Sequence, residues 1–86
     1  MRHARNEDQD RLEDLLVQLR ALPGLTEKKR GVFYRKSRSF LHFHEDPKGL
    51  FADVGGPPDG EFERIDVTGP TGRAELLEAV RRRLGA

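Results

Sequence analysis

The 86-residue chain has no cysteine and no tryptophan, and it has a single methionine and a single tyrosine. Without cysteine there are no disulfides, no thiolate zinc sites and no cysteine nucleophile. No apolar run approaches the roughly 18 residues that a membrane-spanning helix requires. Residues Met1 to Asp10 are polar and lack the apolar stretch of a secretory signal. An excess of one charge is missing as well: 16 Lys+Arg stand against 15 Asp+Glu, a formal net charge of +1. The balance also holds locally, with 7 basic and 6 acidic residues in 1–30, 4 and 4 in 31–60, and 5 and 5 in 61–86. A chain that lives on nucleic acid concentrates Lys and Arg on one face, because phosphate neutralisation supplies most of its affinity. These counts argue against that class of partner. The clusters Lys28-Lys29-Arg30 and Arg81-Arg82-Arg83 read as solvated charge.

What the chain does have is two leucine stripes with strand-like runs between them. Leu12, Leu15, Leu16, Leu19 and Leu22 recur at helical spacing and predict a helix over about Glu7 to Leu22. Glu7, Asp8 and Asp10 favour its positive dipole end, and Pro23-Gly24 closes it. Met1 to Asn6 reads as a flexible terminus, and Leu25 to Gly31 as a polar connector. Four strands follow: Val32 to Lys36, Ser39 to Glu45, Leu50 to Val54 and Glu61 to Val67. The turns between them suit antiparallel hairpins. Leu76, Leu77, Val80 and Leu84 line a second helix, with Thr71 as N-cap or Pro70 at its first position. Arg81 to Arg83 in its last turn complement the dipole.

The order is a single α+β domain over residues 1–86: an N-terminal helix, a four-stranded antiparallel meander and a C-terminal helix. Both helices are expected on one sheet face. The other face then has no partner within the chain, and it is the natural working surface. Tyr34, Arg35, Phe40, His42 and His44 are its candidate contact residues.

The run Phe40-Leu41-His42-Phe43-His44 alternates strictly, so Leu41 and Phe43 point one way and Phe40, His42 and His44 the other. The register with the next strand is open. A three-residue loop at Asp46 to Gly49 sets His44 opposite Ala52 and His42 opposite Val54. A one-residue slip sets the histidines beside Phe51 and Asp53 instead. Two imidazoles two residues apart on a strand can converge on one divalent ion if a third ligand is near. Asp53 is the leading candidate, with Asp66, Glu45 and Asp46 also in reach. His3 is set aside because it lies in the terminus. The simpler reading has both histidines packed or solvated without a metal.

Acid–base chemistry at a histidine is conceivable, with Glu45, Asp46, Asp53, Glu63 and Asp66 as possible partners. The chain shows no nucleophile elbow and no cofactor fingerprint. Gly55-Gly56-Pro57-Pro58 lacks the amide donors of a phosphate cradle. Tyr34 and Phe33 beside Arg35, Lys36 and Arg38 have the composition of a base-stacking platform, but Glu45, Asp46 and Asp53 share those strands.

Leu22-Pro23-Gly24-Leu25-Thr26-Glu27 after the leucine helix, then Gly31-x-Phe33, Phe40-x-His42-Phe43-His44 and Gly49-Leu50, resembles the small bacterial "luciferase-like" domain family. The helix–LPG–hairpin opening is also similar to the MmcQ/YjbR-like family. The resemblance covers about residues 12 to 54 and implies an α+β domain; it carries no activity. After Val54 the chain departs from both.

The expectation is therefore a cytoplasmic, non-catalytic binding or self-association module that uses the open sheet face, with a homodimer as one form. The alternative is a small enzyme or a metal-binding protein with His42, His44 and Asp53 holding a divalent ion. A nucleic-acid-binding sheet is the third reading. No cofactor beyond a possible divalent metal is expected, and no membrane partner.

Overall fold

The computed structural model describes residues 2–3, 10–55 and 62–85, with residues 2–3 described by their backbone alone. The chain runs β1 (Arg2–His3), α1 (Glu13–Arg20), β2 (Thr26–Lys29), β3 (Val32–Arg35), β4 (Arg38–Asp46), β5 (Gly49–Val54), β6 (Glu63–Asp66) and α2 (Pro70–Arg83). The fold is α+β, with an antiparallel sheet in the order β2-β3-β4-β5-β6. β1 pairs with β4 at Arg2↔Glu45 and His3↔His44, along the edge that β3 leaves uncovered.

The sheet is larger than the four-stranded expectation. Thr26–Lys29, read from sequence as a connector, is an edge strand. Its polar residues alternate with nothing apolar, so periodicity does not reveal it; backbone pairing to β3 and side-chain ties hold it instead. Glu27 accepts hydrogen bonds from Arg20 on α1 at 2.6 and 3.1 Å and from the Gly31 N–H at 2.9 Å. Lysines on an exposed edge also discourage pairing with a further chain. Arg2–His3, read as a loose terminus, is likewise a strand; two polar residues cannot display a period.

α1 buries Leu15, Leu16 and Leu19, and Leu12 just before it is also buried. Glu13 and Asp14 occupy its first turn and Arg20 its last, as the dipole favours. Gly24, at φ +89°, turns the chain back after the helix. The sequence-based start at Glu7, like the 56–60 loop and the start of the last strand at Glu61, lies outside the described residues. In α2, Gly69 is the N-cap and Pro70 the first residue, so Thr71 is inside the helix rather than its cap. Proline is preset for that position and loses no needed donor there.

The core is one cluster. Leu12, Leu16 and Leu19 join Leu76, Leu77 and Val80 of α2 and the inward residues Phe33, Leu41, Phe43, Leu50, Ala52, Val54 and Ile65 of the sheet. Strand register explains the set: Phe33↔Leu41↔Val54 and Phe43↔Ala52↔Ile65 stand in rows on one face. The opposite face carries His42, His44, Phe51, Asp53, Arg64 and Asp66. Among the described residues no helix is long and apolar enough to cross a membrane.

Candidate functional site

Two local features decide which side chains meet on the face opposite the core. The first is the β4–β5 turn. Asp46 pairs with Gly49, leaving Pro47-Lys48 as a two-residue loop, and this sets His42 opposite Asp53 and His44 opposite Phe51. The Asp46 Oδ1 accepts a hydrogen bond from the Lys48 N–H at 2.9 Å, which tightens the loop. Gly49 has φ +144°, and a Cβ on it would lie 2.2 Å from Thr68 Oγ1. That hydroxyl accepts from the Leu50 N–H at 2.9 Å, locking the start of β5 to the segment after β6. Of the two registers open from sequence, the slipped one is therefore realised.

The second feature is a bulge. Phe33 pairs with Leu41 but Tyr34 pairs with Ser39, so β4 holds an extra residue at Phe40. A bulge sets two consecutive residues against one and breaks the alternation. Phe40 accordingly joins Leu41 in the core, at 2 % exposure, and is not a residue of the open face as its parity with His42 suggested. Arg35 also leaves the proposed face: its Nη1 donates to the Arg83 carbonyl at the end of α2, on the helix side of the sheet. Tyr34 alternates with Phe33 and so lies on the histidine face, half-buried beneath Lys28, whose Nζ is 4.7 Å from the ring centroid.

His42, His44 and Asp53 converge. His42 Nδ1 is 2.9 Å from His44 Nε2, and His44 Nε2 is 2.8 Å from Asp53 Oδ2. The two rings meet edge to face, 4.8 Å between centroids and 86° between planes. One potential ligand atom from each of the three residues lies within 4.8 Å of the others. The side chains of His44 and Asp53 are 15 % and 11 % exposed. Asp66, Glu45 and Asp46, the other carboxylates considered, are outside this cluster.

Two residues not singled out from sequence complete the surroundings. Arg64, opposite Asp53 on β6, donates from Nε to Oδ1 at 2.8 Å and from Nη2 to Oδ2 at 2.9 Å. This fork holds the Asp53 carboxyl below the ordinary carboxylate range, against the opposing effect of burial; His44, Arg64 and His42 add electrostatic attraction. The second is Phe62, 47 % exposed, with its ring 5.2 Å from that of His42. It lies against the bare backbone of Gly55, where a Cβ would come within 2.7 Å of Cε1. Neither residue has a sequence signal, because both depend on the pairing of β5 with β6.

The protonation of the cluster limits its chemistry. One imidazole nitrogen holds at most one proton, yet His44 Nε2 has close contacts to both a ring nitrogen and a carboxylate oxygen. A cation in place of that proton would meet lone pairs from all three atoms. Zinc bonds nitrogen and oxygen at about 2.0–2.2 Å, so tetrahedral ligand atoms stand about 3.3 Å apart. Entry of such an ion requires the observed 2.8–2.9 Å spacings to widen by a few tenths of an ångström, and the His42 and Asp53 ligand atoms, which lie within 4.8 Å, to settle at the same tetrahedral separation. Two grooves run beside β6 and the start of α2, lined by Glu63, Ile65, Thr71 and Glu75; neither is lined by the histidines. Comparison of the chain with protein-family models, with curated proteins and with solved structures returns no match.

Proposed function

We propose that this chain is a non-catalytic binding module whose working surface is the open sheet face and whose ligand is a divalent transition-metal ion. The observation that supports it is the convergence of His42 Nδ1, His44 Nε2 and Asp53 Oδ2. Two imidazole nitrogens and a carboxylate oxygen are a donor set suited to zinc, nickel or ferrous iron. Arg64 orients the carboxylate, as groups behind metal ligands commonly do. The same reading takes the domain to be cytoplasmic, a setting in which a chain without disulfides is usual.

Isothermal titration with zinc chloride, the chelator-treated protein in the cell, tests the proposal. One equivalent per chain with a dissociation constant below about 1 μM, or about −8 kcal/mol, is the expected result. His42→Ala, His44→Ala and Asp53→Asn are each expected to weaken it. Binding no tighter than about 1 mM, or binding indifferent to all three substitutions, would overturn it.

A second reading keeps the same face but makes its occupant another copy of the chain. The exposed ring of Phe62 beside His42 favours it. Sedimentation equilibrium distinguishes the two: a constant 9.8 kDa across the micromolar range, with and without zinc, removes the homodimer.

A further inference from the structure

Val67 donates its N–H to the Leu50 carbonyl at 2.9 Å, and this bond fixes which backbone groups of β6 face β5. Antiparallel pairs alternate between those that exchange hydrogen bonds and those that do not. Ile65 and Glu63, opposite Ala52 and Val54, therefore also turn their backbone groups toward β5. The N–H and carbonyl of Arg64 and the N–H of Asp66 point the other way, along an edge that no strand covers among the described residues. The Asp66 carbonyl is not available there: it abuts Gly72 in the first turn of α2, where a Cβ would come within 1.7 Å. The opposite edge of the sheet, β2, carries two lysines and a bulge, devices that discourage a further strand. β6, with the sequence Glu-Arg-Ile-Asp and a regular register, carries neither.

We propose that the β6 edge takes an extended peptide with Lys or Arg at alternate positions, added as a further antiparallel strand. Two hydrogen bonds exchanged with Arg64 and one from the Asp66 N–H hold its backbone. Its residues opposite Glu63 and Ile65 share their face, the side of α2, and stand over a groove of about 600 Å³. Ile65, Ala74 and Ala79 give that groove apolar surface; Glu63, Glu75 and Glu78 give it three carboxylates against one cation, Arg82. Arg83 holds Glu63 at 2.9 Å, but Arg81 reaches Glu78 only at 3.9 Å, and Glu75 has no ion pair among the described residues. A long cationic side chain matches both parts, with its methylene stem on the apolar surface and its head at the carboxylates. A second copy of the chain matches poorly. Symmetric antiparallel pairing sets Arg64 opposite Arg64 or Glu63 opposite Glu63, like charges directly opposed. The register that sets Arg64 opposite Asp66 needs the carbonyl that Gly72 covers. The edge uses the backbone of Arg64 and not its side chain, so the proposal does not rest on metal binding.

The test titrates the full ¹⁵N-labelled chain with the peptide acetyl-Thr-Lys-Val-Lys-Thr-amide and follows its amide resonances. Saturable shifts of the Arg64 and Asp66 amides, with a dissociation constant below about 1 mM, are the expected result. Three control peptides need no change to the protein. N-methylation of the central valine removes the donor to the Arg64 carbonyl, glutamate in place of both lysines reverses the charge, and Thr-Lys-Lys-Val-Thr keeps the composition but loses the alternation. Each should bind more weakly than the parent. Glu75→Gln with Glu78→Gln, both exposed on α2, should weaken the parent peptide by about fivefold, as for two exposed ion pairs, and added salt should weaken it too. No binding tighter than about 1 mM, or shifts that leave Arg64 and Asp66 unmoved, would overturn the proposal. So would equal binding of the N-methylated peptide, which removes the added strand, or of the acidic or rearranged peptide, which removes the charge match. Arg64 and Asp66 amides that shift with protein concentration in the absence of peptide would make the occupant a second copy and overturn it as well.

Discussion

Arg64 reaches across from β6 and grips both carboxylate oxygens of Asp53, at 2.8 and 2.9 Å. The Asp53 side chain is 11 % exposed, whereas the Arg64 side chain is 48 % exposed. The carboxylate has therefore given up most of its water, and the arginine replaces that water. Arg64→Ala strips the carboxylate of a charged partner and is expected to lower the stability of the fold, because Asp53 then stays desolvated without it. Urea unfolding at pH 7 measures it. An unchanged urea midpoint would mean that the fork contributes nothing to folding.

Zinc should stabilise the native chain, because the three ligands are brought together only by the β4–β5 pairing. At 100 times the dissociation constant the gain is about 2.7 kcal/mol. Differential scanning calorimetry should show a rise in Tm for wild type and none for His44→Ala. Equal rises in both proteins would place the ion elsewhere.

Acid should loosen the β2 edge. The Glu27 carboxyl sits below its ordinary value of 4.5, mainly because Arg20 hydrogen-bonds to it and also because the Gly31 N–H does, with burial opposing. A carboxyl held lower in the folded state than in the unfolded one contributes stability that is complete above the unfolded value. The contribution is lost as pH falls from about 4.5 through the folded value. Glu13, lowered by Arg30 and then by Arg20, adds in the same direction. Urea midpoints measured from pH 7 to pH 3 should fall in this window, and Glu27→Gln should flatten the fall while lowering the midpoint at pH 7.

Two glycines should respond to substitution in different ways. Gly49→Ala meets the Thr68 hydroxyl and must hold φ +144°; a loss of about 1–3 kcal/mol is expected. Thr68→Ala in the same chain removes the clashing hydroxyl but not the backbone strain, so recovery should be partial, whereas Thr68→Ser keeps the hydroxyl and should give none. Gly72→Ala would bring its Cβ within 1.7 Å of the Asp66 carbonyl oxygen. That neighbour is backbone, so no side-chain truncation near it should rescue the variant. Thermal unfolding of the single and double variants separates the two cases.

The α+β class could be read directly from residue order, because leucines at helical spacing and alternating aromatic runs each require a different backbone period to bury one side. Leu12, Leu15, Leu16 and Leu19 and then Leu76, Leu77 and Val80 are buried as that period requires. The pairing of His42 with His44 on one face was equally legible, since residues two apart on a strand point the same way. Asp53 was named but not placed: the loop Asp46 to Gly49 permits two registers, and only one of them puts Asp53 opposite His42. The bulge that takes Phe40 into the core is invisible in Phe40-Leu41-His42, where simple alternation groups Phe40 with the histidines.

Residue order alone thus settles local matters: which segments bend into helices, which extend, and which side chains share a side of one strand. Those depend on steric and apolar preferences within a few residues. The meeting of Asp53 with Arg64, the placing of His3 beside His44 and the seating of Phe62 near His42 were settled by folding. Each joins segments through backbone hydrogen bonds, and those bonds are chemically alike in every register. The selection is made by the packed whole, through contacts such as Gly49 with Thr68.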